Sequence, residues 1–153
     1  MDLIGFPETG NAIVVLQGFD SWGRRSVEVR LMIAYFVLVH RYPAQFKRLF
    51  KAIYLPGNQY VIHVDKSSGP ELAEDIAAFL KPYQDVELLE AQDALWGGYS
   101  LVDAELRGMA RLLEMDGHWT HYINLSGQDF PLKSQNYIRE FFAANPGKQF
   151  IRA

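Results

Sequence analysis

Three short polar segments in this 153-residue chain each follow an apolar run of strand length. They are His40-Arg41, Asp65-Lys66-Ser67 and Ser126-Gly127-Gln128-Asp129. If the runs are parallel strands, all three segments leave the sheet at the edge where open α/β sheets bind ligands. The Asp65 carboxylate could there accept hydrogen bonds from a ribose or a base. The pattern is equally consistent with Asp65 as a turn residue that has a solvated partner.

Two further features are open to both a binding and a structural interpretation. In Trp96-Gly97-Gly98 the glycines would let main-chain N–H groups approach a ligand closely. The alternative is a helix-entry turn with Trp96 as its hydrophobic anchor. Asp129 either binds a ligand or braces its own Ser-Gly-Gln turn, which would make this stretch a plain strand–turn–helix junction.

The familiar cofactor and metal motifs are missing from the sequence. It contains no Gly-x-Gly-x-x-Gly and no Gly-x-x-x-x-Gly-Lys-Ser/Thr, which disfavours a dinucleotide-binding oxidoreductase and a P-loop site. It also lacks Asp-x-Asp, the usual carboxylate pair for the divalent metal of nucleotide-sugar enzymes. His118 and His121 straddle a loop–strand boundary without a third ligand, so no zinc site is expected. We therefore expect no metal and no cofactor.

Composition limits the class of protein. Hydrophobic residues make up 49% of the chain, which predicts a folded domain, and a net charge of −3 gives no reason to expect a nucleic-acid partner. Cysteine is absent, which excludes disulfides and thiolate metal sites. The longest apolar run, residues 31–39, is much shorter than the ~20 residues of a membrane helix. Asp2 and Glu8, without a basic start, argue against a signal peptide.

Hydrophobic periodicity predicts four strand–helix units. The strands are expected at residues 32–39, 59–64, 86–89 and 120–125. The helices are expected to begin at Pro43, after a Ser68-x-x-Glu71 capping box, after Ser100 and after Ser134. In the third helix, the apolar residues at helical spacing are predicted to face the core: Val102, Leu106, Met109 and Leu113. In the fourth helix the residues predicted to face inward are Ile138, Phe141 and Phe142.

This succession predicts an α/β fold, a parallel sheet with helices on both faces. Residues 1–31 carry no motif and are interpreted as an N-terminal extension of unknown role, followed by an α/β domain at 32–153. Phe150-Ile151 reads as the beginning of another strand, which favours the front part of a longer protein. Apolar surface left exposed by an absent half would promote self-association.

Four segments, taken in order, resemble the core-2/I-branching glycosyltransferases. These segments are residues 50–54 (FKAIY), 60–67 (YVIHVDKS), 96–101 (WGGYSL) and 122–134 (YINLSGQDFPLKS), within a resemblance that runs from Ile33 to Arg152. The family groups β-1,6-N-acetylglucosaminyltransferases with peptide O-xylosyltransferases. The first three segments are closer to the xylosyltransferases, and Ser-Gly-Gln-Asp-Phe-Pro is closer to the acetylglucosaminyltransferases.

The resemblance implies a GT-A type, Rossmann-like fold and inverting, metal-independent transfer of xylose or N-acetylglucosamine from a UDP-sugar. The acceptor would be a hydroxyl of a glycan or a peptide. A carboxylate would deprotonate that hydroxyl, and basic side chains would offset the charge of the departing UDP. Family members in animals are Golgi membrane proteins, and a bacterial-type, cytoplasmic or peripheral member is expected here.

Carried over position by position, the resemblance implies a nucleotide-sugar site. Asp65, Lys66 and Ser67 match the segment that holds the uridine, and His40 lies beside it at the end of the first strand. Trp96 and Gly97 match a donor-site segment, and Asp129 matches an acidic turn residue. Ser67 stands where xylosyltransferases tend to have Arg, which puts donor affinity or donor choice in doubt.

The resemblance assigns no catalytic residue within the chain, because the family's base would lie beyond Ala153. The alternative to a glycosyltransferase is a non-catalytic α/β module that retains only the nucleotide-binding or assembly scaffold.

Overall fold

The computed structural model describes residues 31–89, 99–115 and 119–150. In this part of the chain four strands form one sheet: β1 (Ile33–Val39), β2 (Gln59–Val64), β3 (Val86–Leu88) and β4 (His121–Ser126). Their order is β3-β2-β1-β4, and every neighbouring pair is parallel. The helices are α1 (Pro43–Ile53), α2 (Pro70–Leu80), α3 (Tyr99–Glu114) and α4 (Gln135–Ala143). The predicted parallel α/β fold is confirmed.

One face of the sheet carries the larger core. Alternate residues of the central strands β1 and β2, including Tyr35 and Tyr60, point into it, because successive side chains of a strand face opposite sides. Helices α1 and α2 contribute the buried Phe50 and Ile76, while α4 adds the partly buried Ile138 and Phe142. The rings of Tyr35 and Tyr60 stack with centroids 5.3 Å apart. Burial raises the pKa of Tyr35 to about 12, although its hydroxyl donates to Gln135 Oε1 at 2.8 Å.

The opposite face is covered by α3, through a different set of residues from the one predicted. Ala104, Gly108 and Leu112 are its buried positions. A Cβ atom on Gly108 would overlap the Phe36 ring of β1, so glycine is what permits the close approach of helix and sheet. The predicted inward stripe of α3 is wrong, since three of its four residues are exposed: Val102, Leu106 and Leu113.

Two predicted helix caps are also wrong, and one is confirmed. Gly69 occupies the N-cap position of α2 without a side-chain cap, and Ser68 instead donates its hydroxyl to His40 O at 2.6 Å. Ser100 lies inside α3, which already begins at Tyr99. The predicted cap at Ser134 is present, because its hydroxyl accepts a hydrogen bond from Tyr137 N.

The fourth helix follows its prediction in part. Ile138 and Phe142 pack against the core, whereas Phe141 is exposed. The extension predicted at 1–31 lies outside the described residues except for Leu31, which is buried in the larger core. The tight turn at Trp96-Gly97-Gly98 and the continuation of the strand after Phe150 also lie outside them.

Candidate functional site

The strand order creates one topological switch point in the described sheet. From β1 the chain moves outward to β2 and β3, and then crosses to the other side of β1 to form β4. The segments that follow β1 and β4 lie side by side at the carboxyl ends of these neighbouring strands, and the space beyond them is called the crevice below. Open α/β sheets bind their ligands at such a point. Of the residues predicted for the site, His40, Asp65, Lys66, Ser67 and Asp129 all lie at this edge.

His40 follows β1 directly and lies next to the crevice. Its backbone oxygen accepts the Ser68 hydroxyl, which ties the end of β1 to the segment after β2. Its ring Nε2 lies 3.0 Å from the side-chain amide nitrogen of Gln128, which follows β4. Ring Nδ1 is buried and has no hydrogen-bond partner among the described residues. His40 is thus held by both neighbouring strands.

Asp65 directly follows β2 and is 6% exposed. Its backbone N–H donates to Val39 O at 2.8 Å, which continues the parallel ladder one residue past the strand. Its carboxylate accepts from Ser67 N at 3.0 Å and so caps the short 3₁₀ turn Lys66–Ser68. This contact fits the interpretation of Asp65 as a turn residue. Lys66 and Ser67 are exposed at the rim.

The turn after β4 approaches β1 closely. Gly127 N donates to Leu38 O at 2.8 Å, and a Cβ on Gly127 would lie 3.2 Å from a Val39 methyl group. Asp129 is exposed, and its carboxylate accepts from Ser126 N at 2.7 Å. Asp129 therefore braces its own turn, as one of the two sequence interpretations has it. A surface carboxylate in this position retains lone pairs for a further partner.

Sequence analysis missed Gln128 as a site residue. Its side chain reaches His40, and its backbone oxygen accepts from Gln45 Nε2 of α1 at 2.5 Å. Its role was hard to predict from the sequence, because a glutamine in a turn belongs to no known motif. Its two partners, Gln45 and His40, are 83 and 88 residues away in the chain.

Two predicted donor-site residues and one histidine are not placed. Trp96, Gly97 and His118 lie outside the described residues. Within residues 31–89, 99–115 and 119–150 no group of three or more His, Cys, Asp or Glu side chains is arranged to hold a metal ion. None of the helices described there is long and apolar enough to cross a membrane.

Comparison with known proteins decides the family. The model of the core-2/I-branching enzyme family matches residues 33–152. The chain belongs to the core-2/I-branching enzyme family. The match takes in all four strands, the three polar segments that follow β1, β2 and β4, and Gln128.

Similar members of the core-2/I-branching family bear names of two kinds. The chain is 36% identical to xylosyltransferase 1 of Canis lupus familiaris over 139 residues, 86% of this chain and 14% of that protein. It is 34% identical to xylosyltransferase oxt of Drosophila melanogaster over 125 residues, 80% of this chain and 14% of that protein. It is 31% identical to the N-acetyllactosaminide β-1,6-N-acetylglucosaminyl-transferase of Homo sapiens over 122 residues, 79% of this chain and 30% of that protein. The chain thus matches a limited part of each relative.

Proposed function

We propose that this chain forms the donor-binding part of an inverting glycosyltransferase, which transfers xylose or N-acetylglucosamine from a UDP-sugar to a hydroxyl of a glycan or peptide. The observation that carries the proposal is the meeting of three strand-end segments at one edge of the sheet, with Asp65 buried directly after β2. Membership of a family whose similar members are named xylosyl- and acetylglucosaminyltransferases supports the reaction class.

In this proposal Asp65 accepts hydrogen bonds from the uridine, next to His40 and the rim residues Lys66 and Ser67. A buried carboxylate suits this role, since hydrogen bonds to a charged acceptor are stronger than neutral ones. Trp96 and Gly97 would complete the donor site, and Asp129 would form its opposite wall. No residue of this chain is assigned as the base that deprotonates the acceptor.

Metal independence is part of the proposal and rests on the missing Asp-x-Asp pair. Any charge compensation within this chain falls to its cations. Lys66 is exposed at the edge of the crevice, and Arg41 lies one residue after His40. The predicted location, cytoplasmic or peripheral to a membrane, stays a prediction.

Titration of UDP into the purified chain tests the donor site. We expect binding that is unchanged by EDTA, and no binding of NAD. Asp65→Asn keeps an oxygen that can accept from Ser67 N but removes the charge. It should weaken UDP binding about tenfold or more, because a hydrogen bond to a charged group contributes about 1.5–3 kcal/mol.

Asp75→Ala is the matched control, since Asp75 is an exposed carboxylate of α2 that pairs with Lys47. It should bind UDP as the unchanged protein does. Circular dichroism and thermal melting would verify that each variant is folded. A folded protein that binds no UDP at millimolar concentration would refute the donor site and favour a module that retains only the scaffold. Measurable NAD affinity would favour an oxidoreductase.

A further inference from the structure

Gln128 connects the carboxyl ends of the neighbouring strands β1 and β4. Its amide nitrogen lies 3.0 Å from His40 Nε2, and its backbone oxygen accepts from Gln45 Nε2 at 2.5 Å. Its own N–H donates to Ser126 Oγ at 3.3 Å. One residue thus connects the turn after β4 to the end of β1 and to the first turn of α1, across the crevice assigned above to the donor.

This contact favours one tautomer of the neutral His40 ring. A side-chain amide nitrogen has two hydrogens and no acceptor capacity, so with the Gln128 amide oriented as it is in the structure the ring Nε2 that faces it accepts. The proton of the neutral ring is then on Nδ1. Nδ1 is buried without a hydrogen-bond partner in the described part of the chain.

A buried N–H group without a partner strongly favours the binding of a hydrogen-bond acceptor. Leaving a buried donor unsatisfied is destabilising, so an acceptor oxygen that reaches it is bound more tightly. The ring cannot turn to satisfy Nδ1 elsewhere without losing the bond to Gln128. The orientation of the donor is therefore set by a residue that need not contact the ligand itself.

We propose that Gln128 is a positioning residue of the donor site: it holds neutral His40 with the proton on Nδ1, so that Nδ1–H donates to an acceptor oxygen of the bound nucleotide. The inference rests on the proposed function. The oxygen belongs either to the base or to the diphosphate. These two sources share the same hydrogen-bond chemistry, and ligands that contain only one of them distinguish the two.

Nitrogen-15 NMR of the histidine side chains tests the proton position directly. In the unchanged protein the His40 signals should show a protonated Nδ1. Gln128→Glu presents only acceptor oxygens to the ring, so it should move the proton to Nε2. A purely structural role for Gln128 would leave the tautomer the same. A protonated Nε2 in the unchanged protein overturns the inference.

Binding tests the consequence. UDP affinity should fall about tenfold in both Gln128→Glu and Gln128→Ala, because each loses the fixed Nδ1 donor. Gln149→Glu, at an exposed glutamine, is the control for the added charge and should bind UDP normally. Gln128→Glu can still hydrogen-bond the ring, so it tests the idea even where Gln128→Ala unfolds. If uridine shows the same loss the oxygen is on the nucleoside, and if only UDP and inorganic pyrophosphate show it the oxygen is on the diphosphate.

The two proposals fail in different ways. If the unchanged protein binds UDP and Asp65→Asn weakens it, while both Gln128 variants bind normally, the donor site stands and the role of Gln128 is refuted. If the unchanged protein binds no UDP, the proposed function and this inference fall together.

Discussion

The two faces of the sheet are packed on different principles. Among the described residues, the face under α1, α2 and α4 buries fourteen hydrophobic residues, whereas the face under α3 buries five. Aromatic rings fill the first face, and small residues bring α3 close to Phe36 on the second. The first face is therefore stabilised mainly by the volume of its buried rings, and the second by the close approach of α3 to the sheet. Loss of a ring should be most damaging on the first face, and an added methyl group should be most damaging where α3 approaches Phe36 on the second.

Removing a ring from the large core is expected to have the greatest effect. Phe50 is fully buried and its ring contacts five others: Phe46, Tyr54, Tyr60, Phe79 and Tyr83. Phe50→Ala should lower the free energy of unfolding by about 3–5 kcal/mol, since it leaves a cavity among side chains that relax only in part. Urea denaturation measures this. Phe130→Ala, at a ring that is 58% exposed, is the matched control and should change stability by no more than about 0.5 kcal/mol.

Adding one methyl group to the α3 face is expected to cost less, but still to destabilise. Gly108→Ala should lower the free energy of unfolding by about 1–3 kcal/mol, because the new Cβ overlaps the Phe36 ring. The better helix propensity of alanine opposes this by at most about 1 kcal/mol. Adding Phe36→Leu to the same chain should recover part of the loss. A Gly108→Ala protein that is more stable than the original would contradict the close packing of this face.

The smallest effect is expected at Leu113 of α3, which is compared with its neighbour Leu112. Leu112 is fully buried and Leu113 is 71% exposed, although the sequence predicted Leu113 to face inward. Leu113→Ala should change the free energy of unfolding by less than about 0.5 kcal/mol. Leu112→Ala should cost about 2–5 kcal/mol, and chemical denaturation of both variants compares them. A larger loss for Leu113→Ala would restore the predicted orientation of the helix.

The exposed apolar residues of α3 also bear on self-association. Tyr99, Val102, Leu106 and Leu113 are all more than half exposed. From the sequence, self-association was expected on apolar surface left exposed by an absent half. The exposed side of α3, away from the sheet, is a second apolar surface. Self-association through either one stays a prediction.

Prediction from the sequence was most successful where local signals agree. The strands predicted from the apolar run of β1 and from residues 59–64 are present at the expected places. Pro43 begins α1 as predicted, since its fixed φ suits the first helical turn, and Ser134 caps α4. Four strand–helix units in succession were then enough to imply a parallel sheet.

The sequence could not choose between two faces of α3 that are both compatible with burial. The larger apolar stripe looked like the core side, but Phe36 occupies the space that larger inward residues would need, so Ala104 and Gly108 face the sheet. Likewise, Ser68 has the residue type of a helix cap, but α2 begins at Pro70 with Gly69 in the N-cap position, and the Ser68 hydroxyl donates to a carbonyl of His40, 28 positions earlier. The local motif does not show which neighbouring residue the tertiary structure places at the start of the helix.

The sequence by itself determined the strands, the helices, the resemblance to a family and the polar residues at the strand ends. Only the tertiary structure decided how those ends meet. The crossing of the chain from β3 to β4 brings Gln128 to His40 and Gln45. Asp65 is buried where the end of β2 meets the end of β1. These relations depend on contacts between residues that are far apart in sequence. Neither residue type nor spacing encodes such contacts until the sheet has set the distance between them.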